Sequence, residues 1–160
     1  MCFQYARRFI ETEEWMQKGE SILLQMTCWN EHSVWNFESK MYLLEAEKTC
    51  ILGQFDQAEH LYVSAIRSAQ EHKFIHEEAC ASELAGLFFY QRGFHQKSHE
   101  LLMHSKKCYE TWGAFAVSKR VEAFIASKFG LDFYELEAVD DTIQSFFDSE
   151  DGSSNKRIGD

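Results

Sequence analysis

Small and apolar residues recur along this chain at the spacing of helices, with few of the alternating runs that mark strands. Ser98, Leu101, Leu102, Ser105, Cys108, Tyr109 and Trp112 advance in steps of three and one, which places all seven on one helical face. Phe55, Ala58, Leu61, Tyr62, Ala65, Ile66 and Ala69 do the same. Small side chains fill the middle of each stripe, the composition that lets two helix axes approach closely. The breakers divide the chain into six helices. The first is expected from Phe3 to Thr27, with a kink at Gly19, and the second runs from a capping Asn30 to Leu52, before Gly53. The third opens at Gln54-Phe55-Asp56 and reaches His72; the fourth runs from Ile75 to Gln91 and stops at Gly93. The fifth spans Gln96 to Thr111, and the sixth follows Gly113 and ends before Gly130.

One internal repeat sharpens this outline. Gly53, Ala58, Leu61 and Tyr62 recur 40 residues later as Gly93, Ser98, Leu101 and Leu102, and Leu44 and Ala65 recur as Leu84 and Ser105. Two copies of helix, glycine turn and helix are the signature of stacked αα-hairpins. Around the second turn, Gly86, Phe89, Gly93 and Ser98 take the small, aromatic, turn and small positions of the tetratricopeptide (TPR) pattern. The period is longer than the usual 34 or so residues, and the pattern's terminal proline is missing, so the unit is TPR-like with a lengthened repeat.

Composition agrees and narrows the function. The chain has 160 residues with no proline and eight glycines, too few turn formers for a sandwich or barrel of short strands. The net charge of −10 argues against nucleic acid as a partner. The acidity is concentrated: between Asp132 and Asp160 nine acids face only Lys156 and Arg157, a net of −7. That segment reads as an interacting tail or as a cap. Within it Phe133, Leu136, Val139, Ile143 and Phe147 keep near-helical spacing, which favours a capping helix over an open end of the array. The alternative is an acidic docking segment with Ser145, Ser149, Ser153 and Ser154 available for phosphorylation. The domain division expected is a helical-repeat domain over 1–130, a capping helix over 131–148 and a disordered tail over 149–160. Five cysteines at wide spacing, with no CxxC and no secretory leader, read as buried free thiols of a soluble cytoplasmic protein.

Particular strings carry a family resemblance. Asn36-Phe37 leads into Lys40-Met41-Tyr42-Leu43-Leu44-Glu45-Ala46-Glu47, and Ala58-Glu59-His60-Leu61-Tyr62 follows Gly53. Then come Phe74-Ile75-His76-Glu77-Glu78-Ala79 and Tyr109-x-x-Trp112-Gly113-Ala114. Together, over roughly residues 36–122, these resemble the helical-repeat region of very large signalling proteins. Those proteins combine a serine/threonine kinase-like domain, an AAA-type ATPase, TPR-like repeats, a GAF domain and a sensor histidine kinase. The chain has no GxxxxGK[ST] loop, no HRD or DFG set and no histidine-kinase ATP lid. What the resemblance implies is therefore the spacer without the engines. The amphipathic pattern is already under way at the first residues, as expected of a piece of a longer protein.

Several constellations invite a chemical reading. His76-Glu77 has the order of a phosphoacceptor histidine followed by its acid, without the Arg and Pro that normally follow; first-turn acids favouring the helix dipole explain it as well. His95 and His99 stand four apart, and His72, His76 and Cys80 form a second such row, a spacing that can present metal ligands. Exposed polar helix positions account for both rows. Lys106-Lys107 and Lys119-Arg120 are short basic pairs in an otherwise near-neutral body.

The reading as a whole is an all-α, TPR-like solenoid of helical hairpins with an acidic C-terminal tail, non-enzymatic and without a cofactor. It would act as a scaffold or adaptor that binds a protein or peptide, or other domains of a larger signalling protein, away from nucleic acid and membranes. By TPR analogy Lys40, Glu47, Glu83, Leu87 and Tyr90 face the partner groove, while Gly53, Ala58, Leu61, Gly86, Phe89, Gly93, Ser98, Leu102 and Trp112 pack the repeats. The rival class is an enzyme built on the histidine-rich helix starts, with bound metal or a phosphohistidine as its mark.

Overall fold

The structure, a computed structural model, describes residues 12–130. The expected start of the first helix, the capping helix over 131–148 and the tail over 149–160 lie outside the described residues. The fold there is all-α: α1 (Thr12–His32), α2 (Val34–Ile51), α3 (Phe55–Glu71), α4 (Ile75–Gln91), α5 (His95–Trp112) and α6 (Phe115–Phe129). No strand occurs among the described residues, and no helix among them is long and apolar enough to cross a membrane. Two compact units divide between Ala81 and Ser82, inside α4. In the first, α1 packs on α2 and α2 on α3; in the second, α5 packs on α6.

Four of the five turns are built alike. After α2, α3, α4 and α5 the chain enters the left-handed region at Gly53 (φ 75°), Lys73 (φ 59°), Gly93 (φ 82°) and Gly113 (φ 88°). Each of these amides donates to the carbonyl three residues back, and the next amide donates to the carbonyl five back. The second bond is Gln54 to Thr49 (3.0 Å), Phe74 to Ala69 (2.9 Å), Phe94 to Phe89 (3.0 Å) and Ala114 to Tyr109 (2.8 Å). This is the Schellman arrangement, which satisfies carbonyls that a helix end would otherwise leave open. The turns recur every 20 residues, half the interval visible in sequence. The intermediate step is hidden in the sequence because a lysine, not a glycine, occupies position 73.

The first junction differs from expectation. Asn30 does not cap α2; it lies within α1, which runs unbroken through a buried Gly19 to His32. Ser33 is the junction residue, its amide bonded back to Trp29 O at 3.0 Å and its hydroxyl receiving the Asn36 amide at 2.8 Å. Once tertiary packing carries α1 past Thr27, Asn30 has a helical backbone and no longer a cap's geometry.

The interior is made of small residues. In the first unit Ala46, Ala58, Ala65 and Ala69 are fully buried around Tyr62 and Ile66. In the second, Ala85, Ser82, Ser98 and Ser105 are fully buried among Phe89, Leu102 and Ile125. Gly86 marks the tightest approach. A Cβ there would stand 2.7 Å from Leu102 Cγ and 3.3 Å from the Leu102 backbone nitrogen, while the Ser98 hydroxyl donates to the Gly86 carbonyl at 2.7 Å. Gly86, Ser98 and Leu102 thus meet, Phe89 is buried in the same unit, and Ala58 is buried in the first unit. Leu61 is half-buried and Trp112 is 54% exposed, so Trp112 is not a core contact. The cysteines also depart from expectation: Cys108 is buried and Cys50 half-buried, but Cys28 and Cys80 are exposed.

Candidate functional site

The expected groove residues separate into two kinds. Glu47 and Glu83, read as facing a partner, are only 4% and 7% exposed and are not displayed. The Tyr62 hydroxyl of α3 donates to Glu47 of α2. Glu83 of α4 accepts from the Tyr109 hydroxyl of α5 at 3.0 Å, and Arg120 of α6 reaches both of its oxygens at 2.8 and 3.0 Å. A carboxylate leaves water only where donors replace it, and here phenols and a guanidinium do so. Both acids therefore join helices together. Each partner lies 15 or more residues away, so no local pattern announced the role.

Lys40, Leu87 and Tyr90 remain partly accessible. Lys40 pairs with Glu77 and donates to the Asn36 carbonyl at 2.8 Å; its ammonium lies 5.9 and 5.6 Å from the ring centroids of Phe37 and Phe74. This arrangement also bears on His76-Glu77. Glu77 is engaged by Lys40, while the His76 Nε2 is 3.6 Å away, longer than the hydrogen bond an activating acid makes.

Tyr90 anchors an aromatic and imidazole cluster at one end of the second unit. Its ring lies 5.4 Å from His95, 5.6 Å from Phe124 and 5.7 Å from Phe129, and the last two contacts are edge-on. His99 completes it, 5.2 Å from Phe129. The spacing of four does place His95 and His99 on one face, but what they meet there is a phenylalanine. Burial lowers the His99 pKa, against the smaller opposing effect of Glu100, so the ring is held in its neutral form. Among the described residues no third ligand-bearing side chain joins these two histidines. The other row does not converge either: His72 stacks on Trp35 at 4.4 Å with the Ser68 hydroxyl 3.4 Å from its Nδ1, whereas Cys80 is exposed.

Of the basic pairs, Lys106 is held within the second unit by Glu110 (3.1 Å) and Glu122 (3.5 Å). Burial pulls its pKa down, but the two carboxylates outweigh this and the net shift is upward. Glu110 is in turn lowered, first by the Ser118 hydroxyl at 2.9 Å and then by Lys106. This network ties α5 to α6. His104 Nε2 lies 3.5 Å from the buried Cys108 sulfur, one turn apart on α5. The structural lesson is that most polar groups singled out from sequence serve the joints between helices. Leu87, Tyr90 and Lys40 are the expected groove residues that stay partly accessible. No family model, curated protein or solved structure matches the chain.

Proposed function

We propose that the chain is a non-enzymatic helical-repeat scaffold, a TPR-like array of αα-hairpins that binds a protein or peptide partner in signal transduction. The observation that carries this reading is the recurrence of one turn geometry at residues 53, 73, 93 and 113. A module repeated at constant length is how stacked hairpins extend a recognition surface, and it has no comparable use in an enzyme pocket. The engagement of Glu47, Glu83, Glu77 and Lys106 in pairs between helices supports the same view. The resemblance to the repeat region of multidomain kinase and ATPase proteins supplies the signalling context. Partner contacts are assigned to Leu87 and Tyr90 in the second unit and to Lys40 in the first.

The test is selection of a displayed peptide library against the full chain, followed by Kd measurement with Leu87→Glu. The expected outcome is an enriched motif whose affinity falls tenfold or more in the variant, with helical circular dichroism retained. Failure to enrich any motif over an inert helical protein overturns the reading, as does an unchanged affinity.

A further inference from the structure

His104 and Cys108 stand four positions apart in the interior of α5 and place an imidazole nitrogen against a sulfur. Nε2 of His104 is 3.5 Å from Sγ of Cys108. The same spacing recurs at Cys28 and His32 on α1 and at His76 and Cys80 on α4, where both members of each pair are exposed. On α5 the cysteine is only 6% exposed and the histidine is half-buried, between the buried turns of Leu101, Leu102, Ser105 and Tyr109.

We propose that His104 and Cys108 form a metal site for a thiophilic divalent ion of the Zn2+ kind, held by Nε2 and Sγ with water completing its shell. Three observations carry the site. The first is geometry. With Zn–N at about 2.0–2.1 Å, Zn–S at about 2.3 Å and a tetrahedral angle of about 109°, the two ligand atoms lie about 3.6 Å apart. The separation of 3.5 Å matches that bite, so neither side chain has to leave its place to chelate. The second is donor type: a thiolate with an imidazole selects zinc and its borderline-soft neighbours over magnesium or calcium. The third is rigidity. Both residues lie a full turn or more inside α5 (His95–Trp112), which closes in the Gly113 turn, so binding orders no loop.

Binding exchanges a proton for the ion. The Cys108 S–H bond breaks and its proton passes to water; the thiolate and the Nε2 lone pair of the neutral imidazole then each bond the metal. An ion held in this way braces one turn of α5. The site goes beyond the scaffold reading and does not rest on it.

The experiment titrates the reduced, metal-free full chain with Co2+, a spectroscopic stand-in for Zn2+. The expected result is one Co2+ per chain, with a thiolate-to-cobalt charge-transfer band in the near ultraviolet that excess Zn2+ abolishes. Cys108→Ser should remove the band, and His104→Ala should weaken Co2+ binding tenfold or more. Cys28→Ser, at the exposed reference pair, should leave the affinity within twofold. Should a variant lose its helical circular dichroism, the native chain still decides. Zn2+ should slow alkylation of Cys108 by iodoacetamide at least fivefold while the rate at Cys28 changes less than twofold. No band, a band retained in Cys108→Ser, an unchanged affinity in His104→Ala, or equal protection of the two thiols would overturn the proposal and leave the pair as a hydrogen bond within the helix. One Co2+ per two chains would overturn it in favour of an ion shared between copies.

Discussion

Lys73 is the one described residue other than glycine with a positive φ, and replacing it with glycine provides a quantitative test of the 20-residue turn. At φ 59° an L-residue brings its Cβ against the backbone at a cost of about 1–2 kcal/mol. Glycine removes that cost but adds about 0.5–1 kcal/mol of backbone freedom to the unfolded chain. The lysine charge near the C-terminus of α3 is favourable to the dipole by about 0.3 kcal/mol, and glycine forfeits it. The net expectation for Lys73→Gly is stabilisation by about 0.5 kcal/mol, since the two hydrogen bonds of the turn are made by backbone atoms that both residues possess. With a slope of about 2 kcal/mol/M the urea midpoint should rise by about 0.25 M. Gly93→Ala at the equivalent turn should move in the opposite sense by about 1 kcal/mol, because there a Cβ enters the left-handed region at φ 82°. Circular dichroism at 222 nm reads both transitions. If the two units melt separately, each variant should shift only the transition of its own unit. A lower midpoint for Lys73→Gly would refute the claim that the four turns share one geometry, and no change in Gly93→Ala would do the same.

Other consequences follow from the joints between helices. Gly86→Ala sets a Cβ 2.7 Å from Leu102 Cγ, an overpacking cost of about 1–3 kcal/mol that exceeds the roughly 1 kcal/mol gained in helix propensity; urea titration should show a net loss near 1 kcal/mol. Tyr109→Phe removes a donor from the buried Glu83 carboxylate and should cost about 1.5 kcal/mol by the same titration, with Arg120 retaining part of the interaction. For His99 the folded pKa lies below the unfolded value near 6.5, so the unfolded chain takes up the proton first and stability falls as pH drops through and below about 6.5. Urea midpoints at pH 7.5 and 5.5 should separate in the native protein and draw together in His99→Leu; an equal separation in both would show that other groups carry the dependence.

Much of the fold was legible because helix formation here depends on local spacing. The expected span of Ile75 to Gln91 coincides with α4, and the glycines at 53, 93 and 113 mark helix ends because only a residue without a Cβ adopts positive φ at no steric cost. The stripes of alanine and serine likewise announced the tight seams that Gly86, Ser98 and Leu102 form. Where the reading failed, the cause lay beyond local spacing. Asn30 has the chemistry of a cap, but α1 continues past it. The turn at Lys73 has no glycine to announce it: a lysine there takes the left-handed conformation that glycine takes at the other three turns.

The site was less legible for the same reason. Glu47 and Glu83 look like solvated acids on any helical wheel, and only the arrival of Tyr62, Tyr109 and Arg120 from other helices makes their burial affordable. His95 and His99 were correctly placed on one face, yet what that face meets, Phe129, was settled by how α6 crosses α5. The sequence by itself determined the class of fold, the helices and most of their ends, because backbone sterics and hydrophobic periodicity act within a few residues. Only the tertiary structure decided which polar side chains became internal struts and which stayed accessible, because burial of a charge depends on donors that lie far away in the chain.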